Sequence, residues 1–223
     1  MRVYRIKISS WTSSFRYPNI MSGFQPTMDV PPISTVLGII NSCAGEYQRF
    51  SNTELGYYFE YEAKSVDLET IYMVEVNKNA PTNKVKSNVI KREFLYGCKL
   101  YIYLTDEKIV KLFRNPVYQV LLGRSTDLAT IEEITTLNLP EIENASKRKG
   151  QIMPVSVGLF PGNMQALPIY FTDTIPRRNI GTQPFSVISY SSNDFPSKVS
   201  AIRDTIEGKE IDIYLHNINT DEF

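Results

Sequence analysis

Val30-Pro31-Pro32-Ile33-Ser34-Thr35-Val36-Leu37-Gly38-Ile39-Ile40-Asn41-Ser42-Cys43-Ala44-Gly45 reads as one short helix with a bare polar face. Pro31 and Pro32 set its start, because proline is pre-shaped for a first turn whose N–H groups have no helical partner. Ile33, Val36, Leu37, Ile40 and Ala44 recur at helical spacing and form one buried stripe. Ser34, Thr35, Gly38, Asn41 and Ser42 occupy the other side, with no long charged side chain among them. Gly45 supplies a C-terminal stop. A surface helix ordinarily covers its outer face with Lys and Glu, so this face leaves room for another backbone, of protein or nucleic acid. Gly38 costs about 1 kcal/mol against Ala in a helix interior, which calls for a compensating contact.

Outward from the helix, the chain reads as strands. Residues 2–9 alternate basic or aromatic with aliphatic side chains and form a first strand. A loop over 10–32 shows no clear period. Apolar, β-rich runs at 56–63 and 70–76 precede a segment, 77–92, with five basic residues, no acid, four Asn and a Pro. It cannot bury a core of its own and is read as a long hairpin tip or finger standing off the sheet. A strand at 100–104, a short helix at 106–113 and a strand at 117–122 follow. The turn Gly123-Arg124-Ser125 leads into an acidic segment, 126–134, carrying a helix-cap signal at Ser125 or Thr126. Residues 143–151 form a polar break, beyond which the chain is β-rich, with strands expected at 153–159, 167–172, 185–190 and 210–216. The fold class is therefore α+β: a β-α-β-β series over 1–142 suited to a ferredoxin-like (RRM-like) sheet, and a small β-rich domain over 143–223.

Composition narrows the chemistry. Its 223 residues suffice for one large domain or two small ones. Twenty-four basic and twenty-four acidic residues cancel, so a polyanion site must be local. Cys43 and Cys98 lie in apolar surroundings, which favours buried free thiols without excluding a disulfide. No apolar run reaches about 20 residues and no signal-peptide core opens the chain, so a cytoplasmic protein without a membrane role is expected. No metal constellation, phosphate loop or nucleophile elbow is present, and neither a cofactor nor a metal site is expected.

Phe15-Arg16-Tyr17-Pro18, Gln25-Pro26-Thr27, the helix start at 30–38, Lys91-Arg92-Glu93-Phe94-Leu95 and Val120-Leu121-Leu122-Gly123-Arg124-Ser125 together resemble the fifth CRISPR-associated (Cas) protein family, closest to its type I-B-like members. The resemblance covers about residues 1–135. It implies a RAMP-superfamily fold, a ferredoxin-like domain with an extruded thumb hairpin, and it maps the basic finger 77–92 onto that thumb. It implies a non-catalytic subunit of the type I Cascade surveillance complex that caps the 5′ handle of the guide RNA (crRNA) in antiviral defence. Cascade backbone and large subunits are the implied partners, and target DNA is reached only indirectly. One branch of the family, type I-C, cuts precursor RNA with a Tyr, a Lys and a His; the lone His216 here stands in a terminal strand with no Lys or Tyr assignable to it by spacing.

The candidate RNA-binding residues are Arg16, Ser34, Thr35, Gly38, Lys78, Lys84, Lys86, Lys91, Arg92 and Arg124. Ser34 and Thr35 admit two readings, a phosphate held at a helix start or ordinary capping. The finger cations read as phosphate contacts or as a solvated loop. Arg124 pairs with a phosphate, or with Glu132 or Glu133. Arg177-Arg178 and Lys147-Arg148-Lys149 read as exposed turn charges, and Phe15, Tyr17 and Phe24 as stacking residues or as core anchors. Two further readings of the whole chain remain: an endoribonuclease that processes precursor crRNA, and a structural adaptor docking neighbouring subunits.

Overall fold

One long strand organises the molecule. The computed structural model describes residues 1–20, 23–75 and 84–220. Its elements begin β1 (Arg2–Ser13), α1 (Ile33–Ala44), β2 (Thr53–Glu60), β3 (Ala63–Glu75), β4 (Lys84–Leu104), α2 (Glu107–Leu112) and β5 (Ala129–Asn138). They continue with β6 (Glu141–Ile142), β7 (Gln151–Pro154), β8 (Asn163–Leu167), β9 (Tyr170–Phe171), β10 (Asn179–Ile180), β11 (Gln183–Ile188), β12 (Ala201–Ile206), β13 (Lys209–Ile213) and β14 (His216–Ile218). The main sheet runs β14-β2-β4-β1-β5, with every neighbouring pair antiparallel and β3 also on β4.

β4 is 21 residues long because it serves two partners along one edge. β2 pairs with it from Leu55↔Leu104 to Glu60↔Lys99, and β3 continues from Ala63↔Tyr96 to Glu75↔Lys84 without a shift of register. On the other edge β1 ends at Ser13↔Leu95, and Gln25 then bridges Arg92. Past that point the β3–β4 hairpin stands off the sheet, and nearly all of β3 is exposed. The basic segment thus divides: its first part, through residue 83, lies outside the described residues, and 84–92 is the returning strand of a hairpin.

The two faces of the sheet are buried differently. Ile6 and Ile8 of β1, Leu55, Tyr57 and Phe59 of β2, and Leu100, Ile102 and Leu104 of β4 pack beneath Ile33, Val36, Leu37, Ile40 and Cys43 of α1. On the reverse face Val3, Tyr58, Tyr101 and Tyr103 meet Ile202, Ile206, Ile211 and Ile213 of the β12–β13 hairpin. Asp204 of β12 locks this second layer by accepting from the Tyr103 hydroxyl at 2.7 Å and pairing with Arg5 at 2.9 Å. The C-terminal part also returns to the main sheet, where β14 lies along β2.

Local chemistry accounts for the boundaries. α1 starts after Pro32, whose carbonyl accepts from the Thr35 and Val36 amides, and no side chain caps it. Ser34 and Thr35 therefore sit inside the first turn and do not cap it. Gly45 ends the helix with φ +80, and a Cβ there would lie 2.7 Å from the Val117 side chain, so glycine is required twice over. The amides of Val117 and Tyr118 meet the last-turn carbonyls of Cys43 and Ser42, which draws 117–122 into an irregular segment where a strand was expected. The acidic segment 126–134 is not helical either: it opens β5, the open edge of the sheet. Both cysteines are free and buried, and burial pushes each thiol up to about 11.

The polar break is tied down more firmly than its composition suggests. Asp212 of β13 accepts from the Ser146 and Lys147 amides and from Arg203. Arg148, read from the sequence as an exposed turn charge, is fully buried against the paired rings of Phe160 and Phe195, 4.7 and 5.2 Å from its guanidinium. Lys147 and Lys149 pair with Glu210 and Asp194.

Candidate nucleic-acid interface

Segments far apart in the sequence converge on one cleft of about 660 Å³. The segment just after β1 contributes Arg16, the start of α1 contributes Ser34 and Thr35, the Leu-Gly-Arg-Ser turn contributes Arg124, and the segment before β10 contributes Arg177. Glu69 of β3 supplies a carboxylate to the wall. Close approach of the turn to the segment after β1 depends on Gly123: with φ +118, a Cβ there would lie 2.6 Å from the Ser14 carbonyl oxygen.

The cations of this cleft are not equivalent. Arg124 is held by Asp127, which is completely buried: the Arg124 amide and Nε donate to Oδ2 at 2.8 and 3.0 Å, and Nη2 donates to Oδ1 at 2.9 Å. That pairing, chiefly the hydrogen bond, raises the Arg124 pKa above its ordinary value. Its protein partner is thus Asp127 and not Glu132 or Glu133, and Glu132 instead pairs with Lys7. Arg16 is exposed and makes no ion pair among the described residues. Arg177 is also exposed, its guanidinium 5.6 Å from the Tyr47 ring. With two exposed guanidiniums that make no ion pair among the described residues, two hydroxyls and an α1 start that carries no acidic residue in its first turn, the cleft can hold an anionic backbone.

The remaining predicted residues fall outside this cluster. Gly38 lies one turn along α1, exposed, and among the described residues no atom lies within 4 Å of where a Cβ would stand, so no contact there explains it. Lys78 is outside the described residues, and Lys84 opens β4. Lys86 pairs with Glu75 at 2.9 Å, and Lys91 is exposed. Arg92, expected on an exposed finger, is instead 1 % exposed at the root of the hairpin, where Nε bonds Glu69. The run lacks acids only along the sequence; β3 supplies Glu69 and Glu75 from across the ladder. Of the aromatic candidates, Phe15 is buried against Phe59, Tyr17 is half-buried, and Phe24 is exposed. Sequence reasoning missed Arg177, whose position depends on a fold-back of the C-terminal part that no local signal announces.

His216 is enclosed in β14 by Tyr57, Tyr214 and Phe185, and burial lowers its pKa to about 4. It is neutral at pH 7 and away from the cleft. Among the described residues, no group of three or more His, Cys, Asp or Glu could hold a metal ion, and no helix is long and apolar enough to cross a membrane.

No family model matches the sequence, and no curated protein matches it. Solved structures do. A chain described as "CRISPR RNA-guided surveillance complex" superposes with a TM-score of 0.54 at 14% identity, over 88% of this chain and 92% of that one. A CRISPR protein from Archaeoglobus fulgidus aligns at TM-score 0.47 and 11% identity, over 98% and 100%. A chain of the Type III-B Cmr-beta complex bound to cognate target RNA aligns at 0.45 and 9%, over 88% and 86%. The first of these superpositions shows that this chain shares a sheet-rich fold with that surveillance-complex chain.

Proposed function

We propose that this chain is a non-catalytic, guide-RNA-binding subunit of a type I CRISPR surveillance complex that caps the 5′ handle of the crRNA. The observation that carries the reading is the convergence of Arg16, Ser34, Thr35 and Arg124 on one cleft. Arg16 and Arg177 hold phosphates, the start of α1 adds unpaired amides, and Arg124 stays fixed by Asp127 as part of the wall. The strand order β2-β4-β1-β5, with α1 and α2 on the crossovers, supports a ferredoxin-like domain of the RAMP kind, and the β3–β4 hairpin supports its thumb. One face of that hairpin presents Val66, Leu68, Tyr72, Val74, Val85 and Val89 to solvent, which supports docking on a neighbouring backbone or large subunit. Recognition of target DNA is left to base pairing with the guide. The enclosed, neutral His216 supports the non-catalytic reading over an endoribonuclease.

The test is fluorescence anisotropy with a labelled single-stranded RNA carrying the repeat-derived handle, titrated over a range of salt. Arg16→Ala combined with Arg177→Ala is expected to weaken binding about tenfold and to reduce the log–log salt slope by about 0.7 for each phosphate no longer neutralised. An unchanged affinity and slope would favour the adaptor reading. Specific cleavage of the RNA without added metal would favour the nuclease.

A further inference from the structure

Away from the cationic cleft, a small pocket of about 230 Å³ is lined by residues 9–11 of β1, residues 96–99 of β4 and Glu62. The two sites share no lining residue. Trp11, the only tryptophan of the chain, is 79% exposed on one wall. The Tyr96 ring stands against it at 76°, with centroids 6.4 Å apart. Beside them Gly97 adopts φ +66, and the Glu62 side chain lies across it so closely that a Cβ there would fall 2.6 Å from its carboxyl carbon. Glu62 makes no ion pair within 4 Å among the described residues. The one ammonium of the pocket, Lys99, is already held by Glu207 at 2.5 Å and by Glu60 at 3.7 Å. Glu60, Glu62 and Glu207 all act on Lys99. Lys7 and Lys209 also act on Glu207, but they do not reverse the balance, because Lys7 is paired with Glu132. Carboxylates thus outnumber ammonium groups beside the two exposed rings.

We propose that this corner is a binding site for an arginine side chain presented by a protein partner. A planar guanidinium stacks on the indole while the exposed Glu62 carboxylate, which has no ion pair within 4 Å among the described residues, compensates its charge, a combination that a compact, strongly hydrated ammonium matches less well. The surplus of negative charge repels a phosphate backbone, so this site complements the nucleic-acid cleft and does not extend it. It is independent of the RNA reading, since it rests on none of that cleft's residues.

Trp11 is its own reporter. The full-length protein is titrated with acetyl-Gly-Arg-Gly-amide, with the neutral citrulline analogue and with hexauridylate, following tryptophan emission. The expected result is a saturable change with the arginine peptide, at an affinity about tenfold above that for the citrulline peptide, reduced at least about threefold by Glu62→Gln. Any of four results would overturn the proposal: no saturation, equal response to citrulline, indifference to Glu62→Gln, or tighter binding of hexauridylate, which would assign Trp11 to nucleic acid. Glu62 is exposed, so its replacement leaves the fold intact, and the unliganded emission spectrum checks this directly.

Discussion

His216 sits among the rings of Tyr57, Tyr214 and Phe185, and its depressed pKa couples folding to pH. An unfolded chain takes up a proton near pH 6.5, whereas the folded imidazole refuses one until about pH 4. The stability is whole above pH 6.5, drains as the pH falls through the interval between the two values, and levels off below it. Between pH 7 and pH 5 the loss is about 2 kcal/mol, read as a lower urea midpoint, and His216→Gln is expected to remove that step. The neighbouring Tyr57 and Tyr214 do not interfere, because burial raises the pKa of both and keeps them neutral throughout. The salt-bridged Asp212 has its pKa lowered and titrates below the window. At this scale the sequence was partly legible. His216 was readable as a strand residue and Gly45 as a stop, because both depend on near neighbours. The partners of Arg92, and the burial of Arg148 under two rings, depend on strands and loops that meet only in the fold.

Helix α1 was legible as an element because its stripe, its prolines and its final glycine all point the same way. Among the described residues its polar face finds partners toward its C-terminal end: Asn41 and the Tyr170 hydroxyl lie 2.7 Å apart, and Asn41 also accepts from the Gln48 amide. Gly38 faces open space, so Gly38→Ala is expected to stabilise the free protein by about 1 kcal/mol, raising its Tm by about 2–4 °C in a thermal melt. A fall in Tm would mean that the helix needs the glycine for itself. β5 was the element least readable from sequence, and the reason is geometric. Ile8 of β1 pairs with Ile131 while Ile6 pairs with Ile134, because the register shifts between Lys7 and Ile8. Two residues of β1 are thus matched by three of β5, and the irregularity places isoleucines three apart, the spacing of a helix.

For the whole molecule, the division expected near residue 142 meets a structure in which the C-terminal part forms one wall of the core. β12 and β13 cover Val3, Tyr58, Tyr101 and Tyr103, and β14 extends the main sheet. A fragment of residues 1–142 exposes that whole apolar face. It is expected to bind ANS and to lack the dispersed amide spectrum of a packed protein, whereas a cooperative unfolding transition in the fragment would show that the first part folds alone. The order of strands in the sheet was beyond sequence reading, since long-range pairing is set by how faces fit together and not by any local period. The run 77–92 was read as a hairpin tip or finger; its described part, 84–92, is the returning strand of the hairpin, whose length was not legible because β3 looked like an ordinary strand. Its unbroken register along β4 has a consequence of its own. Shortening the arm by one residue in each strand would exchange its apolar and polar sides beyond the deletion, while removing two from each preserves them and shortens the reach by about 7 Å. The hairpin therefore acts as a ruler graduated in steps of two residues, and any surface that fits it reads distance from the sheet in those units.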